Sequence, residues 1–354
     1  MQQKNALIIS LNFRAAHVSH LVASYLQMKE LGYKPILLIA KECVEYLPSN
    51  IDYVLSLNDL KGKVSIAIFW FPALGNIKAM WTLRHSFKAK IFYVFHEPIE
   101  KFSTYLKSGN SRWWTIKFFM KYYVALSFLA LSHRVILPSK KAVELYTNGI
   151  SRFANSHYNY LPLMYADERN QSLTNIKRQY ISYIGGISND HAFGEYVDFI
   201  YEAYKNNTFH NIKFLIASWR DIPEDKRIHE MLSAGVLDVS SGKPMSNDQI
   251  NRYYASTYIV WNAYNRSTQS GVLAKSFMFG TPGLVMRKNL SEFVEDKREV
   301  IAIDDNTDFS QISTAVDVVI QNFNHFSTEA RQNYERNYDY KCHNKAMESI
   351  LNEV

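Results

Sequence analysis

The sequence has few cysteines and no long apolar run, and each shortage excludes a class of protein. Two cysteines in 354 residues are too few for a disulfide framework or a cysteine-rich zinc site. The most apolar stretch, residues 113–131, is interrupted by Lys117 and Lys121. No uncharged apolar run of about 18 residues therefore exists to span a bilayer. No basic and then apolar leader precedes Asn5, from which we expect a reducing, cytoplasmic protein.

Repeats, low-complexity segments and metal-binding spacings are also absent from the sequence. No His-Glu-x-x-His or similar pattern occurs, so we expect neither a resident metal nor a cofactor. No nucleic-acid-binding motif occurs either, and no nucleic-acid partner is expected. With 47% hydrophobic and 21% charged residues, the 354-residue chain is typical of a folded protein with about two domains.

Charge is distributed unevenly along the chain. Residues 1–160 contain 20 lysines and arginines against 8 acidic residues, a net charge of +12. The remaining residues contain 20 basic and 25 acidic residues, a net charge of −5. The basic half therefore favours an anionic partner, such as a phospholipid surface or a pyrophosphate-linked acceptor.

Short apolar runs alternate with helix-period patterns through the first half of the chain. Such alternation predicts a parallel sheet with helices on both faces. The predicted strands are residues 6–11, 35–40, 64–71, 91–95 and 135–138.

The same alternation starts again after a polar segment at residues 166–178, which we interpret as a linker. From residue 308 onward the pattern is helical only. We therefore predict domains at 1–165 and 179–325, with helices at 326–354 that cross back to the first domain. The predicted strands of the second half are residues 180–184, 212–217, 258–261, 283–286 and 300–303, with a further strand near residue 239.

Residues 267–282 carry the most chemical information. They follow a predicted strand and predict a short helix that starts near Ser270 and stops at Gly280, Thr281 and Pro282. Small residues at a helix start leave backbone N–H groups open, and the helix dipole adds positive potential there. The segment is therefore suited to binding a pyrophosphate.

This segment, with Ser270, Gly271 and the Gly-Thr-Pro stop, resembles the donor-binding segment of family 4 glycosyltransferases of the GT-B fold, in the branch with Thr-Gln-Ser-Gly at this loop. The resemblance implies two Rossmann-like domains facing an interdomain cleft. It also implies a nucleotide-sugar donor, with UDP, GDP or dTDP left open, and retention of anomeric configuration. The donor-binding residues it implies are Gly186, Arg220, Lys243, Thr268, Gln269, Ser270, Gly271 and Lys275.

The chain departs from the family pattern at the charged positions. Many members have two glutamates in this segment, where this chain has Ser267 and Lys275. The basic pair that commonly follows the first strand of the second domain is also missing, because residues 186–191 contain no lysine or arginine. The candidates for neutralising a diphosphate are Arg220, Lys243, Arg266 and Lys275.

In the first half, a predicted strand delivers His96 and Glu97 into a loop. Ligands bind at the carboxyl ends of parallel strands. Histidine suits sugar hydroxyls and proton transfer near neutral pH, and Glu97 could orient it or accept a proton. The resemblance implies that His96 faces the donor sugar. Arg14 and His17, after the first strand, are weaker candidates for phosphate or acceptor contacts.

Residues 112–123 combine paired tryptophans and tyrosines with lysines. As a helix, this segment would suit an anionic bilayer interface, and the protein could be peripheral on the inner face of the membrane. A helix packed inside the domain is the alternative.

Together these features predict a glycosyltransferase that acts on a glycan or a lipid-linked acceptor in cell-surface polysaccharide assembly. Three alternatives remain open. The chain could be a non-catalytic partner subunit, since both glutamates are lost. It could be a nucleotide-sugar epimerase or hydrolase, for which only Glu97 is an obvious carboxylate. It could also bind nucleic acid or anionic lipid through charge alone.

Overall fold

A computed structural model describes residues 4–13, 15–96, 98–107, 110–267 and 270–354. The chain divides into two compact units. Unit 1 comprises Met1–Ala166 and Tyr338–Val354, and unit 2 comprises Asp167–Asn337.

Unit 1 contains a seven-stranded parallel sheet. Its strands are β1 (Asn5–Ser10), β2 (Lys34–Ile39), β3 (Tyr53–Val54), β4 (Val64–Phe69), β5 (Lys90–Val94), β6 (Arg134–Leu137) and β7 (Tyr158–Tyr160). Its first helices are α1 (Ala15–Glu30), α2 (Gly75–His85), α3 (Phe102–Lys107), α4 (Arg112–Leu131), α5 (Lys140–Asn148) and α6 (Ser151–Ala154), and short 3-10 helices cover Lys41–Tyr46 and Leu57–Asp59.

Alternate residues of the central strands enter opposite faces of this sheet. Ile8 joins the apolar cluster under α1, whereas the neighbouring Leu7 joins the cluster under α2 and α4. Because helices cover both faces, the central strands are apolar almost without interruption. The strand order is β3-β2-β1-β4-β5-β6-β7, and it reverses direction between β1 and β4.

Unit 2 contains a six-stranded parallel sheet in the order β10-β9-β8-β11-β12-β13. Its strands are β8 (Tyr180–Ile184), β9 (Lys213–Ala217), β10 (Leu237–Ser240), β11 (Thr257–Asn262), β12 (Gly283–Met286) and β13 (Val300–Ile303). Its helices are α7 (Gln171–Thr174), α8 (Phe193–Lys205), α9 (Lys226–Ser233), α10 (Asn247–Ala255), α11 (Gly271–Met278), α12 (Phe309–Gln321) and α13 (Phe323–Asn337), with a 3-10 helix at Arg287–Asn289. Here the order reverses between β8 and β11.

The segment that the sequence suggests as a linker, 166–178, belongs to unit 2 from Asp167 onward. Its last residue, Arg178, donates hydrogen bonds to the carbonyl oxygens of Thr257 and Phe279 at 2.8 and 2.6 Å and to the Thr281 hydroxyl. Burial lowers the pKa of Arg178 to about 10. Arg178 therefore anchors the turn that ends α11, a role that the polar composition of the segment does not predict.

The chain returns to unit 1 at Tyr338, later than the sequence-based boundary at residue 326. Helix α13 stays in unit 2, because its residues Phe326 and Ala330 are buried there. After the crossing, Tyr165 N donates to Tyr338 O at 2.8 Å and Tyr340 N donates to Tyr165 O at 3.1 Å. A 3-10 helix at Tyr340–His343 and the final helix α14 (Asn344–Asn352) then pack on the unit 1 core. Two Rossmann-like units and a C-terminal segment that crosses back confirm the predicted architecture of the chain.

Candidate functional site

The carboxyl ends of β8 and β11 lie side by side where the strand order of unit 2 reverses. This switch point is the usual ligand position in open α/β sheets. Gly185, directly after β8, has a φ of +140°, and a Cβ built on it would lie 3.4 Å from Val272 Cγ2. The glycine therefore allows the backbone after β8 to approach the first turn of α11.

Ser270 caps the N-terminus of α11. Its Oγ accepts hydrogen bonds from Leu273 N at 3.2 Å and from Asn262 Nδ2 at 2.6 Å. Asn262 is the buried last residue of β11, so the strand end and the helix start are joined through one hydroxyl. The first-turn amides and the dipole of α11 create a positive electrostatic potential at the switch point.

Tyr264 and His191 complete this end of the sheet. The buried Tyr264 hydroxyl lies beside the side chains of Asn262 and Ser270, and burial raises the pKa of Tyr264 well above its ordinary value. The His191 ring stacks on Tyr264 with centroids 4.4 Å apart, and its Nδ1 lies 2.7 Å from Gly186 O. Because a carbonyl oxygen only accepts, Nδ1 carries the hydrogen.

The loop after β9 lies against the loop after β8. Trp219 is 47% exposed, and a Cβ on Gly186 would lie 3.5 Å from its Nε1. The Arg220 guanidinium lies 4.8 Å from the Trp219 ring centroid and donates to Ile187 O at 3.0 Å. An exposed indole beside a guanidinium can stack a planar ring and contact a phosphate.

The remaining predicted cations lie in different surroundings. Lys243 is exposed on the loop after β10, one strand beyond the Trp219 loop. The Lys275 ammonium is buried on α11 and lies 3.1 Å from Glu168 Oε2. Asn251 Nδ2 donates to the same oxygen at 2.9 Å. Lys275 thus neutralises the half-buried carboxylate of Glu168 in unit 2, further along α11 than its Ser270 end.

The structure therefore brings together Gly186, Arg220, Ser270 and Gly271 from the predicted set and separates Lys275 from them. Thr268 and Gln269 lie outside the described residues. Asn262, Tyr264 and His191 are additional members that the sequence analysis missed. His191 was recognisable from its place between the Gly-Gly turn and α8, because histidine, like lysine and arginine, can donate a hydrogen bond to a phosphate.

Unit 1 has its own switch point, between the ends of β1 and β4. Asn12 Nδ2 donates to Pro72 O at 2.6 Å and ties the two loops together. His17 at the start of α1 stacks on Phe71 with ring centroids 3.5 Å apart. Arg14, the other weak candidate of this loop, lies outside the described residues.

His96 follows β5, the strand next to β4, and belongs to an aromatic cluster. Its ring centroid lies 5.9 Å from that of Phe71 and 6.0 Å from that of His20. The buried His20 stacks on Trp70, and its Nδ1 lies 3.1 Å from Met164 O, so Nδ1 again carries the hydrogen. The sequence analysis missed His20. Glu97 lies outside the described residues.

A separate surface feature of unit 1 is helix α4. Large apolar side chains at Trp113, Ile116, Met120 and Tyr123 are 43–66% exposed. Their spacing places them on one stripe of the helix. Lys117 Nζ lies 5.1 Å from the Trp113 ring centroid. The opposite stripe is buried in the core and comprises Thr115, Tyr122, Ala125, Phe128 and Leu129.

The described residues contain neither a membrane-spanning helix nor a cluster of metal ligands. Within these ranges, the structure contains no helix with the length and hydropathy needed to cross a membrane. The same residues form no group of three or more His, Cys, Asp or Glu side chains that could hold a metal ion.

No protein-family model matches the chain, and no curated protein matches it significantly. Solved structures do resemble it. HepE of Anabaena, solved with UDP and glucose, has a TM-score of 0.69 at 9% identity, covering 99% of this chain and 100% of HepE. The pneumococcal O-GlcNAc transferase GtfA, solved with UDP and GlcNAc, has a TM-score of 0.65 at 9% identity, covering 100% and 99%. A glycosyltransferase from Rickettsia africae has a TM-score of 0.66 at 10% identity, and the match covers 100% of this chain and 99% of that enzyme. These likenesses confirm the predicted GT-B fold.

Proposed function

We propose that this protein is a retaining, metal-independent glycosyltransferase related to family 4. It would move a sugar, a hexose or a related residue, from a nucleotide-sugar to a glycan or lipid-linked acceptor in cell-surface polysaccharide assembly. The observation that carries the proposal is the unit 2 switch point, where a serine-capped helix N-terminus, two glycines and an exposed tryptophan with an adjacent arginine converge. The UDP and UDP-glucose present in structures of the same fold support the same donor class.

In this proposal unit 2 binds the donor and stabilises the leaving group. The amides at the start of α11 would hold the diphosphate, and fixed dipoles there stabilise the negative charge that develops as the glycosidic bond breaks. Arg220 adds a cation, and Trp219 offers a face for the base. Asn262 donates to the Ser270 hydroxyl and so helps to position the cap of α11.

Unit 1 would supply the acceptor side. His96 is the residue proposed to contact the transferred sugar, with Glu97 beside it in sequence. His20 is held by Met164 O and packs between Trp70 and Tyr165, so it limits the positions that the His96 ring can take. An imidazole in such a cluster can hydrogen-bond a sugar hydroxyl or move a proton near neutral pH.

We propose that the protein is cytoplasmic and peripheral to the membrane, and the exposed stripe of α4 supports docking on an anionic bilayer. Trp113 and Met120 are 65% and 66% exposed, and exposed lysines lie on the same helix. Aromatic rings favour the headgroup region, and each Lys or Arg near an anionic surface contributes about 1 kcal/mol. Docking through this helix would bring unit 1 to a lipid-linked acceptor.

A non-catalytic partner subunit is the second candidate. It is favoured by Ser267 and Lys275, which stand where related enzymes have glutamates, and by the ion pair between Lys275 and Glu168. An epimerase is less favoured, because the carboxylates described near the unit 2 switch point, Asp190 and Glu195, are engaged by Arg266 and Asn265.

Thermal stability with a panel of sugar nucleotides tests the proposal, because a ligand of the folded state raises stability by mass action. We expect the protein to be stabilised by at least one member of a panel that contains UDP-glucose, UDP-GlcNAc, GDP-mannose and dTDP-glucose. Release of free nucleotide with an acceptor extract then separates an enzyme from a binding subunit. If no sugar nucleotide stabilises the protein, the proposal fails. Binding without any turnover favours the partner subunit.

A further inference from the structure

A diphosphate carries two negative charges, and two of the four cations predicted to neutralise it are paired with carboxylates in the structure. The Arg266 guanidinium pairs with Asp190 at 3.5 Å, and both side chains are largely buried. Lys275 pairs with Glu168 at 3.1 Å. Arg220 donates one of its N–H groups to Ile187 O, although others remain available. A dianion bound at the switch point would therefore meet less unpaired positive charge than the lysine and arginine content of unit 2 indicates.

His191 lies at the centre of this arrangement. Its ring lies between Gly186 O, which accepts from Nδ1, and Tyr264, whose hydroxyl lies beside the Ser270 cap of α11. Tyr183 also donates to Gly186 O, at 2.8 Å, and keeps that carbonyl in place. The ring is thus oriented by contacts on one edge and one face. Its Nε2 makes no hydrogen bond with any described residue.

The backbone around His191 is also unusual. Ala192, the next residue, is buried with a φ of 53°, a left-handed conformation that is unfavourable for a non-glycine residue. It precedes α8, whose cap makes no side-chain hydrogen bond. The fold therefore maintains a strained backbone that positions His191 at the strand end.

We infer that His191 is the proton-dependent phosphate ligand of the donor site, which presents Nε2–H to a diphosphate oxygen when the imidazole is protonated. The inference rests on the proposed function. In the neutral ring Nε2 is a lone pair, which repels a phosphate oxygen. In the protonated ring it is a charge-assisted donor. Donor binding would then take up a proton.

The sign of the pH dependence follows from this linkage. A bound diphosphate favours the imidazolium, so affinity is highest at low pH and falls as pH rises through the imidazole range, by at most tenfold per pH unit. The charged groups around the ring are Asp190 with its partner Arg266, Arg220 on the loop after β9, and Glu195 on α8, which accepts from Asn265.

Calorimetric titration with UDP-glucose from pH 6 to pH 8 tests the inference, with the tightest-binding panel member as a replacement probe. A sugar nucleotide is suitable because each of its phosphorus atoms has one ester and one anhydride bond, which leaves a single acidic oxygen that does not titrate in this range. We expect wild-type affinity to fall about tenfold across it. Titration in buffers of different ionisation enthalpy should show uptake of a fraction of a proton at pH 7.5.

Three variants make the result specific. His191→Gln should bind about tenfold more weakly than wild type at pH 6, with no slope and no proton uptake. His191→Lys should bind tightly at every pH. His229→Gln, an exposed histidine of α9, is the matched control and should behave as wild type. A flat wild-type profile, or a wild-type slope retained in His191→Gln, would overturn the inference. If no panel member binds at any pH, the proposed function itself fails.

Discussion

Replacement of Ser270 by aspartate should remove donor binding while the protein stays folded. Ser270 Oγ accepts from Leu273 N and from Asn262 Nδ2, and a carboxylate can accept both hydrogen bonds. Aspartate caps helices as well as serine does, and its charge suits the helix dipole. The free energy of unfolding should therefore change by less than about 1 kcal/mol.

The effect on binding follows from electrostatic repulsion. A diphosphate on the first-turn amides of α11 would lie on the order of 6 Å from the new carboxylate. At an effective dielectric constant near 20, the repulsion between the carboxylate and each of the two phosphate charges is then about 2.8 kcal/mol. Ser270 is half-buried, so water and salt reduce the total to roughly 3 kcal/mol. Since 1.4 kcal/mol is a factor of ten, Kd should rise about 100-fold.

The assay is calorimetric titration with the best sugar nucleotide of the panel, accompanied by urea unfolding. Ser111→Asp is the matched control, because Ser111 caps α4 with the same 3.2 Å contact, to Trp114 N, in unit 1. The control should bind as wild type does. Unchanged donor affinity in Ser270→Asp, or an equal loss in Ser111→Asp, would refute the assignment of the diphosphate to α11.

Three further outcomes are expected. His96→Ala should lower kcat by about two orders of magnitude with a smaller change in donor affinity, and full turnover would make His96 structural. His133 accepts from Ile91 N at 2.9 Å, and burial with two neighbouring cations lowers its pKa to about 4. The stabilising contribution of His133 should therefore be complete above pH 6.5 and decline as the pH falls toward 4, because in that range the unfolded chain binds a proton that the folded chain does not. Urea unfolding of His133→Asn should show a weaker decline over the same range. Replacing Lys117 and Lys121 by glutamate should reduce sedimentation with anionic vesicles about tenfold or more. The same replacement at Lys140 and Lys141 of α5 is the control and should leave sedimentation unchanged. Absence of wild-type binding to anionic vesicles at low salt would contradict membrane docking.

Local features of this protein could be predicted from its sequence alone. The apolar runs at 180–184, 283–286 and 300–303 coincide with β8, β12 and β13, because each run is bounded by polar residues, glycine or proline. Ser270 was recognisable as a helix start, since capping depends on residues three apart in the chain. The edge strands β3 and β7 were missed, because their residues are only partly buried and lack an apolar pattern.

The domain boundary near the C-terminus could not be predicted from the sequence pattern. The apolar stripe of α13 predicts a helix, and it would look the same in either unit. Only packing shows that Phe326 belongs to the core of unit 2, whereas Met347 of α14 belongs to that of unit 1. Periodicity identifies the buried face of a helix but carries no information about the surface that covers it.

The composition of the candidate site was decided by tertiary structure. Strand order places the end of β8 beside that of β11, and this brings His191 onto Tyr264 and Gly185 onto α11. The same folding directs Lys275 to Glu168 and away from Ser270, although Lys275 and Ser270 share one short helix. Helix starts and strand runs depend on neighbouring residues, so the sequence determines them directly. Strand order and the pairing of charges depend on contacts between residues far apart in the chain. They follow from the arrangement of lowest free energy, in which apolar side chains are buried and buried polar groups have hydrogen-bond partners.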